Sequence, residues 1–145
     1  MRRIMTGLLG LILLAAASTG SAAEPKPYKE GPVIAVSYIK VKNGRFDDYM
    51  AFLDTSYKSL MEAYKKAGLI TGYGVYSATA RTPHEADLIL TISYVNMAAL
   101  DKTDDFDGVA EKVMGSNATQ NKASIDRDAM REVLGGELIR ELVLK

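Results

Sequence analysis

This sequence predicts an α+β domain. Three observations carry the prediction: β-branched runs at 33–41, 69–80, 87–95 and 137–145, one long amphipathic helix beginning at Phe46, and a chain order of strand, helix, strand, strand, helix, strand. Residues 33–41 (VIAVSYIKV) are bounded by Pro32 and Asn43-Gly44 and read as a strand. Val33, Ala35, Ile39 and Val41 fall on one face and Ile34, Val36 and Tyr38 on the other, so both faces are apolar and the strand is expected to be covered on both. Phe46, Tyr49/Met50, Leu53, Tyr57, Leu60/Met61 and Tyr64 then recur at steps of three and four. That is the spacing of an amphipathic helix of about five to six turns. Asp47 and Asp48 in the first turn and Lys65-Lys66 in the last suit the helix dipole, and Gly68 supplies the stop. The aromatic stripe reads as core.

Residues 69–80 (LITGYGVYSATA) are a second strand, in which Gly72 and Gly74 mark a bulge or a close backbone approach. Arg81-Thr82-Pro83-His84-Glu85 is a turn. Residues 87–95 (DLILTISYV) are a third strand, with Leu88, Leu90, Ile92 and Tyr94 on one face and Ile89, Thr91, Ser93 and Val95 on the other. The short connection makes the two an antiparallel hairpin. Asn96 caps a broken second helical region: Met97 to Leu100, then Phe106, Val109, Val113 and Met114. A polar interruption at 117–121 follows. Ile125, Ala129, Met130, Val133 and Leu134 mark a further helix that Gly135-Gly136 end, and residues 137–145 (ELIRELVLK) are the last strand.

This order is the split βαβ, ferredoxin-like arrangement, β-α-β-β-α-β: a four-stranded antiparallel sheet with helices on one face. The other face is left bare and is still apolar. Pairing of two copies through their sheet faces, as a homodimer, is the expected remedy.

The chain has 145 residues, enough for one domain, and 48% of them are apolar, so it can bury a core. Met1-Arg2-Arg3, the apolar run 8–17 (LLGLILLAAA) and the small residues 18–23 form the three-part secretory pattern. Ser21 and Ala23 fit cleavage after Ala23, with Ala22 as the alternative. The apolar run falls short of the ~20 residues needed to cross a bilayer, so a cleaved leader is expected and no membrane span afterwards. The expected location is periplasmic or secreted, in a bacterium, by general secretion. Residues 24–32 (EPKPYKEGP) hold three of the four prolines and read as an extended arm, leaving 33–145 as the single domain.

The 18 basic and 18 acidic residues balance, and loss of Arg2 and Arg3 with the leader leaves a slight acidic excess. Nucleic acid is therefore not an expected partner. The absence of Cys removes disulfides, iron–sulfur clusters, Cys-zinc sites and thiol nucleophiles. A single His rules out a His-rich metal site in one chain, and neither a metal nor a cofactor is expected.

The strand running into VKNGRFDDYMAFL, the helix ending KKAGLITGYGVY and the hairpin strand ADLILTISYVNMAAL resemble the dimeric α/β-barrel superfamily. In that superfamily a strand ends in a Lys-x-Gly-type turn and a long helix follows with an acidic residue and an aromatic early; Lys42, Gly44, Asp48 and Tyr49 match. The resemblance covers residues 33–100 well and the remainder by order of elements. It implies a dimeric ferredoxin-like fold. Similar members include cofactor-free monooxygenases of polyketide quinones, haem-degrading enzymes, muconolactone isomerase-like proteins and many of unknown role. It assigns no catalytic residue here.

The residues themselves offer few chemical signals. His84 sits in a hairpin turn with Arg81, Pro83 and Glu85, a solvated setting. Residues 101–108 look like a calcium loop, but Thr103 and Met114 would occupy positions that need carboxylates. No nucleophile elbow, dinucleotide fingerprint or Walker loop occurs. Tyr38, Tyr73 and Tyr94 lie on strands and, with Ser37, Thr91 and Ser93, can line an apolar cavity with a few polar handles. Arg140 on the last strand can meet an anionic group. The candidate ligand-binding residues are therefore Tyr38, Tyr73, Tyr94, His84 and Arg140. The expected function is an exported homodimer that binds a small apolar or aromatic molecule, or a partner, without a catalytic constellation. The alternative is a cofactor-independent monooxygenase or isomerase working on an aromatic or lactone-like substrate in a pocket between sheet and helices.

Overall fold

The computed structural model describes residues 25–145. The expected leader at 1–23 lies outside them. Strand β1 (Tyr28–Val41) leads through a turn at Lys42-Asn43-Gly44, where Gly44 takes a φ of 74°, into helix α1 (Phe46–Phe52). A π-helical turn (Leu53–Tyr57) joins α1 directly to α2 (Lys58–Lys66). Strands β2 (Gly72–Ser77) and β3 (Leu88–Tyr94) form the hairpin. A 3₁₀ turn (Met97–Asp101), α3 (Thr103–Met114), α4 (Asn117–Asp128) and β4 (Arg131–Leu144) complete the chain. The sheet is antiparallel throughout, in the order β2-β3-β1-β4.

The long helix forms where the three-four spacing places it. Its end is a Schellman motif: the Gly68 N–H bonds the Lys65 carbonyl and the Leu69 N–H bonds that of Tyr64, with Gly68 at a φ of 70°. Its middle was not legible from the spacing. The Lys58 N–H reaches back to the Leu53 carbonyl, a five-residue step, and the Thr55 hydroxyl donates to the Ala51 carbonyl at 2.7 Å. Asn96 caps as expected, its side chain accepting from the Ala99 N–H at 3.2 Å.

Two expectations for the second half are corrected. The polar stretch 117–121 is not an interruption but the first turns of α4. Ser116 caps it by accepting from the Thr119 N–H, and Lys122 pairs with Asp126 one turn on at 3.0 Å; these outweigh its lack of an apolar face. The further helix through Val133 and Leu134 does not exist. Helix α4 stops at Asp128 and β4 begins at Arg131, anchored by a bond from the Lys42 N–H to the Met130 carbonyl at 2.9 Å. Gly135-Gly136 are not a helix stop but part of a β-bulge, where Tyr38 pairs with Gly135 and Ile39 with Val133, leaving Leu134 extra. Gly135 has a φ of 155°, and a Cβ at Gly136 would stand 2.6 Å from the Val36 carbonyl oxygen. Strand β1 also starts earlier than 33: Tyr28 to Glu30, inside the expected arm, pair with Leu142 to Leu144. Neither Gly72 nor Gly74 marks a bulge or a close backbone approach: β2 keeps a regular register, Gly72 has open space beside it, and what lies against Gly74 is the side-chain ring of Tyr76.

The long helix, the 3₁₀ turn and α3 pack on one side of the sheet in two buried clusters, to which α4 contributes no residue. One gathers Val33, Met61, Leu69, Ile70, Tyr94 and Ala99; the other gathers Ile39, Val41, Tyr49, Leu53, Leu88 and Leu90. Tyr57 packs against both. The opposite face carries Ile34, Val36, Tyr38, Tyr76, Ile89 and Ile139, which share it by register; Val36 at its centre is buried, and the face carries no core cluster among the described residues. Tyr76 is 57% and Ile139 44% exposed there.

Candidate functional site

Where the two clusters meet, the helix-facing side of the sheet is not filled. A cavity of about 260 Å³ remains. Its floor is the sheet: Ala35, Ser37 and Ile39 from β1, Leu90 and Ile92 from β3, and Val133 from β4. Its roof is the long helix, with Tyr49 and Phe52 from α1, Tyr57 from the π turn, and Leu60 and Met61 from α2. Arg127, in the last turn of α4, and Arg131, the first residue of β4, close it. The volume lies just under the roughly 300 Å³ at which drug-sized sites begin.

The polar groups are few and tightly held. Tyr49 is fully buried and its hydroxyl accepts from Arg131 Nη1 at 2.9 Å. The Tyr49 and Phe52 rings are stacked with centroids 5.9 Å apart. Arg131 lies over the Tyr49 ring at 5.7 Å and Arg127 over the Phe52 ring at 5.6 Å, so each guanidinium has an aromatic face beneath it. Arg127 Nη2 donates to the Ser124 hydroxyl at 3.0 Å. Three buried polar atoms, Tyr57 Oη, Arg127 Nε and Arg131 Nε, have no hydrogen-bond partner among the described residues.

Electrostatics fix the protonation states. Burial, reinforced by the neighbouring Tyr49, Tyr73 and Tyr94, pushes the Tyr57 hydroxyl up to about 12. It therefore stays protonated, a hydroxyl unpaired among the described residues. Burial first, then the like charge of Arg131, pulls Arg127 below its ordinary value. That value starts so far above neutrality that the guanidinium remains charged. The cavity thus offers apolar walls, two cations and phenolic hydroxyls.

The residues singled out from sequence are not brought together. Tyr73 stands at the margin: its ring meets Tyr57 edge-on at 6.0 Å and its hydroxyl donates to Glu62 at 2.8 Å. Tyr94 is buried core, edge-on to Phe106 at 6.2 Å. Tyr38 lies on the opposite face and donates to Glu137 at 2.6 Å, the bond that raises its pKa. There it borders a separate, shallow cleft with Ile89 and Leu134. Arg140 is tied to Glu30 at 2.8 Å, and His84 is exposed in its turn, whose shape is set by Glu85 accepting from the Arg81 and Thr82 N–H groups. Among the described residues no group of three His, Cys, Asp or Glu side chains is placed to hold a metal ion, and no helix is long and apolar enough to cross a membrane.

Sequence reasoning missed Arg127 and Arg131. A continuous helix through residue 134 separates them by one helical turn on a solvated surface. The real break at 129–130 instead places one on a helix end and the other on a strand start, so both turn inward. The usable signal was the pair Arg127-Asp128 and Arg131 flanking Ala129-Met130, directly before the β-branched run. Tyr49 and Tyr57 were read as core, and they are core that also borders the cavity.

No family model and no curated sequence matches the chain. In structure it is similar to the protein SO0527 from Shewanella oneidensis (16% identity, TM-score 0.51, covering 80% of this chain and 98% of that one). It is also similar to HapK from Hahella chejuensis (14% identity, TM-score 0.50, 75% and 91%). A dimeric ferredoxin-like protein from an uncultured marine organism shares the fold as well (8% identity, TM-score 0.50, 81% and 90%). The class is therefore settled: this is an α+β, ferredoxin-like domain, the fold that the resemblance to dimeric α/β-barrel proteins implies. At such identities the likeness fixes the fold and carries no activity.

Proposed function

We propose that this protein is an exported homodimer that binds a small, flat, largely apolar molecule in the cavity between sheet and helices. The observation that carries the proposal is the cavity itself, roofed by Tyr49, Phe52 and Tyr57 and floored by branched aliphatic residues. The space is partly open to solvent, and its aromatic and branched aliphatic walls with a few polar groups are the composition of small-ligand sites. The lining supplies donors and no carboxylate or imidazole base, which favours binding over proton abstraction.

Dimerisation rests on the bare sheet face and on β4, whose Leu138, Leu142 and Leu144 are all more than half exposed. The solved marine protein of this fold is described as dimeric. Export rests on the leader pattern at 1–23. Native mass spectrometry of residues 24–145, purified from the export compartment, tests the reading. A dimer with a defined extra mass of small-molecule size is the expected result. A monomer overturns the pairing. An empty dimer that also takes up no aromatic probe overturns the ligand.

A further inference from the structure

The five arginines of the described residues fall into two groups. Arg45, Arg81 and Arg140 each have a carboxylate partner, Asp48 at 2.8 Å, Glu85 at 3.6 Å and Glu30 at 2.8 Å, and all three sit in open surroundings. Arg127 and Arg131 are the more enclosed pair, and they are the ones without proper countercharge. Arg131 has only Asp128, 4.0 Å from its Nε and on a side chain that is 65% exposed. Arg127 forms no ion pair among the described residues, and its one side-chain hydrogen bond goes to a neutral hydroxyl. The arrangement is inverted, with the best-solvated arginines paired and the half-buried ones left over.

Burying a cation without an anion is costly, and putting two beside each other costs more. Stacking on Phe52 and Tyr49 holds the guanidinium planes but leaves their N–H edges to be satisfied. Both Nε atoms are buried and unbonded among the described residues, and the Tyr57 hydroxyl bordering the same cavity is a third donor in the same condition. These three atoms lie behind the cavity wall and cannot reach a ligand themselves, but the two guanidinium groups they belong to or neighbour border a largely apolar space. Two positive charges there describe the complement of one oxyanion attached to an apolar body.

We propose that Arg127 and Arg131 form an oxyanion-binding site, and that the ligand of this cavity is an aromatic or similarly flat monocarboxylate. Its carboxylate lies against the two guanidinium edges and its body against Phe52, Leu60 and Ile92. This rests on the cavity being a ligand site at all, and it adds the charge and orientation of what enters. The anion completes a half-built ion pair, so binding is worth more here than the apolar area alone supplies.

The test is calorimetric titration of the mature dimer with benzoate, cinnamate and 2-naphthoate, each against its own neutral amide. At least one acid is expected to bind tenfold or more tighter than its amide, with the advantage shrinking as salt is raised. Arg127→Met and Arg131→Met are each expected to abolish that advantage while leaving amide binding in place. Ligand-induced thermal shifts of the unmutated protein give the same acid-against-amide comparison should either variant fail to fold. Equal binding of acid and amide, or an advantage that survives both substitutions, overturns the oxyanion site and leaves the cavity as a ligand site. Failure of every acid and every amide to bind overturns both.

Discussion

Strands β1 and β4 are each 14 residues long, are hydrogen-bonded to one another along almost their whole length, and have nearly the same apolar content, yet they end in opposite environments. Strand β1 buries Val33, Val36, Ile39 and Val41, whereas β4 buries nothing, and Arg131 alone is half-covered. The difference comes from position. Strand β1 lies inside the sheet under the long helix; β4 is the edge, and α4 reaches only its beginning. Beyond Val33 the two strands leave β3 behind and continue as a two-stranded ribbon from Tyr28 to Glu30 and Leu142 to Leu144, with Leu144 81% exposed. Apolar alternation in a sequence therefore reports what a strand is prepared to bury, and the partner that buries it can be a second chain.

The sharpest way to break this comparison is to truncate matched residues on the two strands. Ile39 is 0% exposed, and Ile39→Ala should cost about 3 kcal/mol in urea unfolding at any protein concentration. Ile139, 44% exposed within one chain and on the bare face, should cost under about 1 kcal/mol as Ile139→Ala in a dilute, monomeric sample. In the dimer its cost should rise with concentration. Equal losses at all dilutions would mean that β4 is covered within its own chain. Gly136→Ala tests the joint between the strands. Its new Cβ meets the Val36 carbonyl oxygen, a backbone atom that cannot swing aside, so a loss of about 2 kcal/mol in the unfolding free energy is expected.

A smaller effect is expected at the end of β1 beside the hairpin. Asp87 accepts from Lys40 Nζ at 2.8 Å and from the Val41 N–H at 2.9 Å, and chiefly through Lys40 its pKa is held below the ordinary carboxylate range. A carboxyl depressed in the folded state contributes fully above its unfolded value and loses that contribution as pH falls through its folded one. Asp87→Ala should thus cost about 1 kcal/mol at pH 7 and progressively less below about pH 4, read as urea midpoints of the two proteins across that range. The smallest expected effect has the opposite sign. Tyr57→Phe removes a buried hydroxyl without a partner among the described residues, so the ligand-free melting temperature should stay level or rise by the equivalent of up to about 1 kcal/mol. A clear drop would show that the hydroxyl is satisfied after all.

Residues 33–100 were largely legible because local pattern and final burial agree there. Periodicity placed the long helix, Gly68 its stop, and alternation the two faces of β3. The stretch from 115 onward was misread for an identifiable reason. Helix α4 has no buried residue, so no apolar stripe announces it, and the apolar residues that follow belong to a strand interrupted by two glycines whose usual meaning is a helix end. The candidate site depended on that same boundary. None of the tyrosines singled out from strand positions lines the cavity, and Arg127 and Arg131 acquire their meaning only once the chain turns between them.

The π turn at Leu53–Tyr57 has a consequence for how such a cavity can change. A turn of this kind holds one residue more than a regular helical turn, so the two halves of the long helix are set to each other like a gear with one tooth added. Removing a single residue there would restore a regular helix and leave Leu60 and Met61 on the face they share with Tyr49 and Phe52. A deletion elsewhere in the long helix, with the π turn kept, would instead swing everything after it by about 100° and take Leu60 and Met61 out of the roof. The extra residue is thus what aligns the two halves of the lining, and the helix tolerates losing a residue at this one turn better than anywhere else along it.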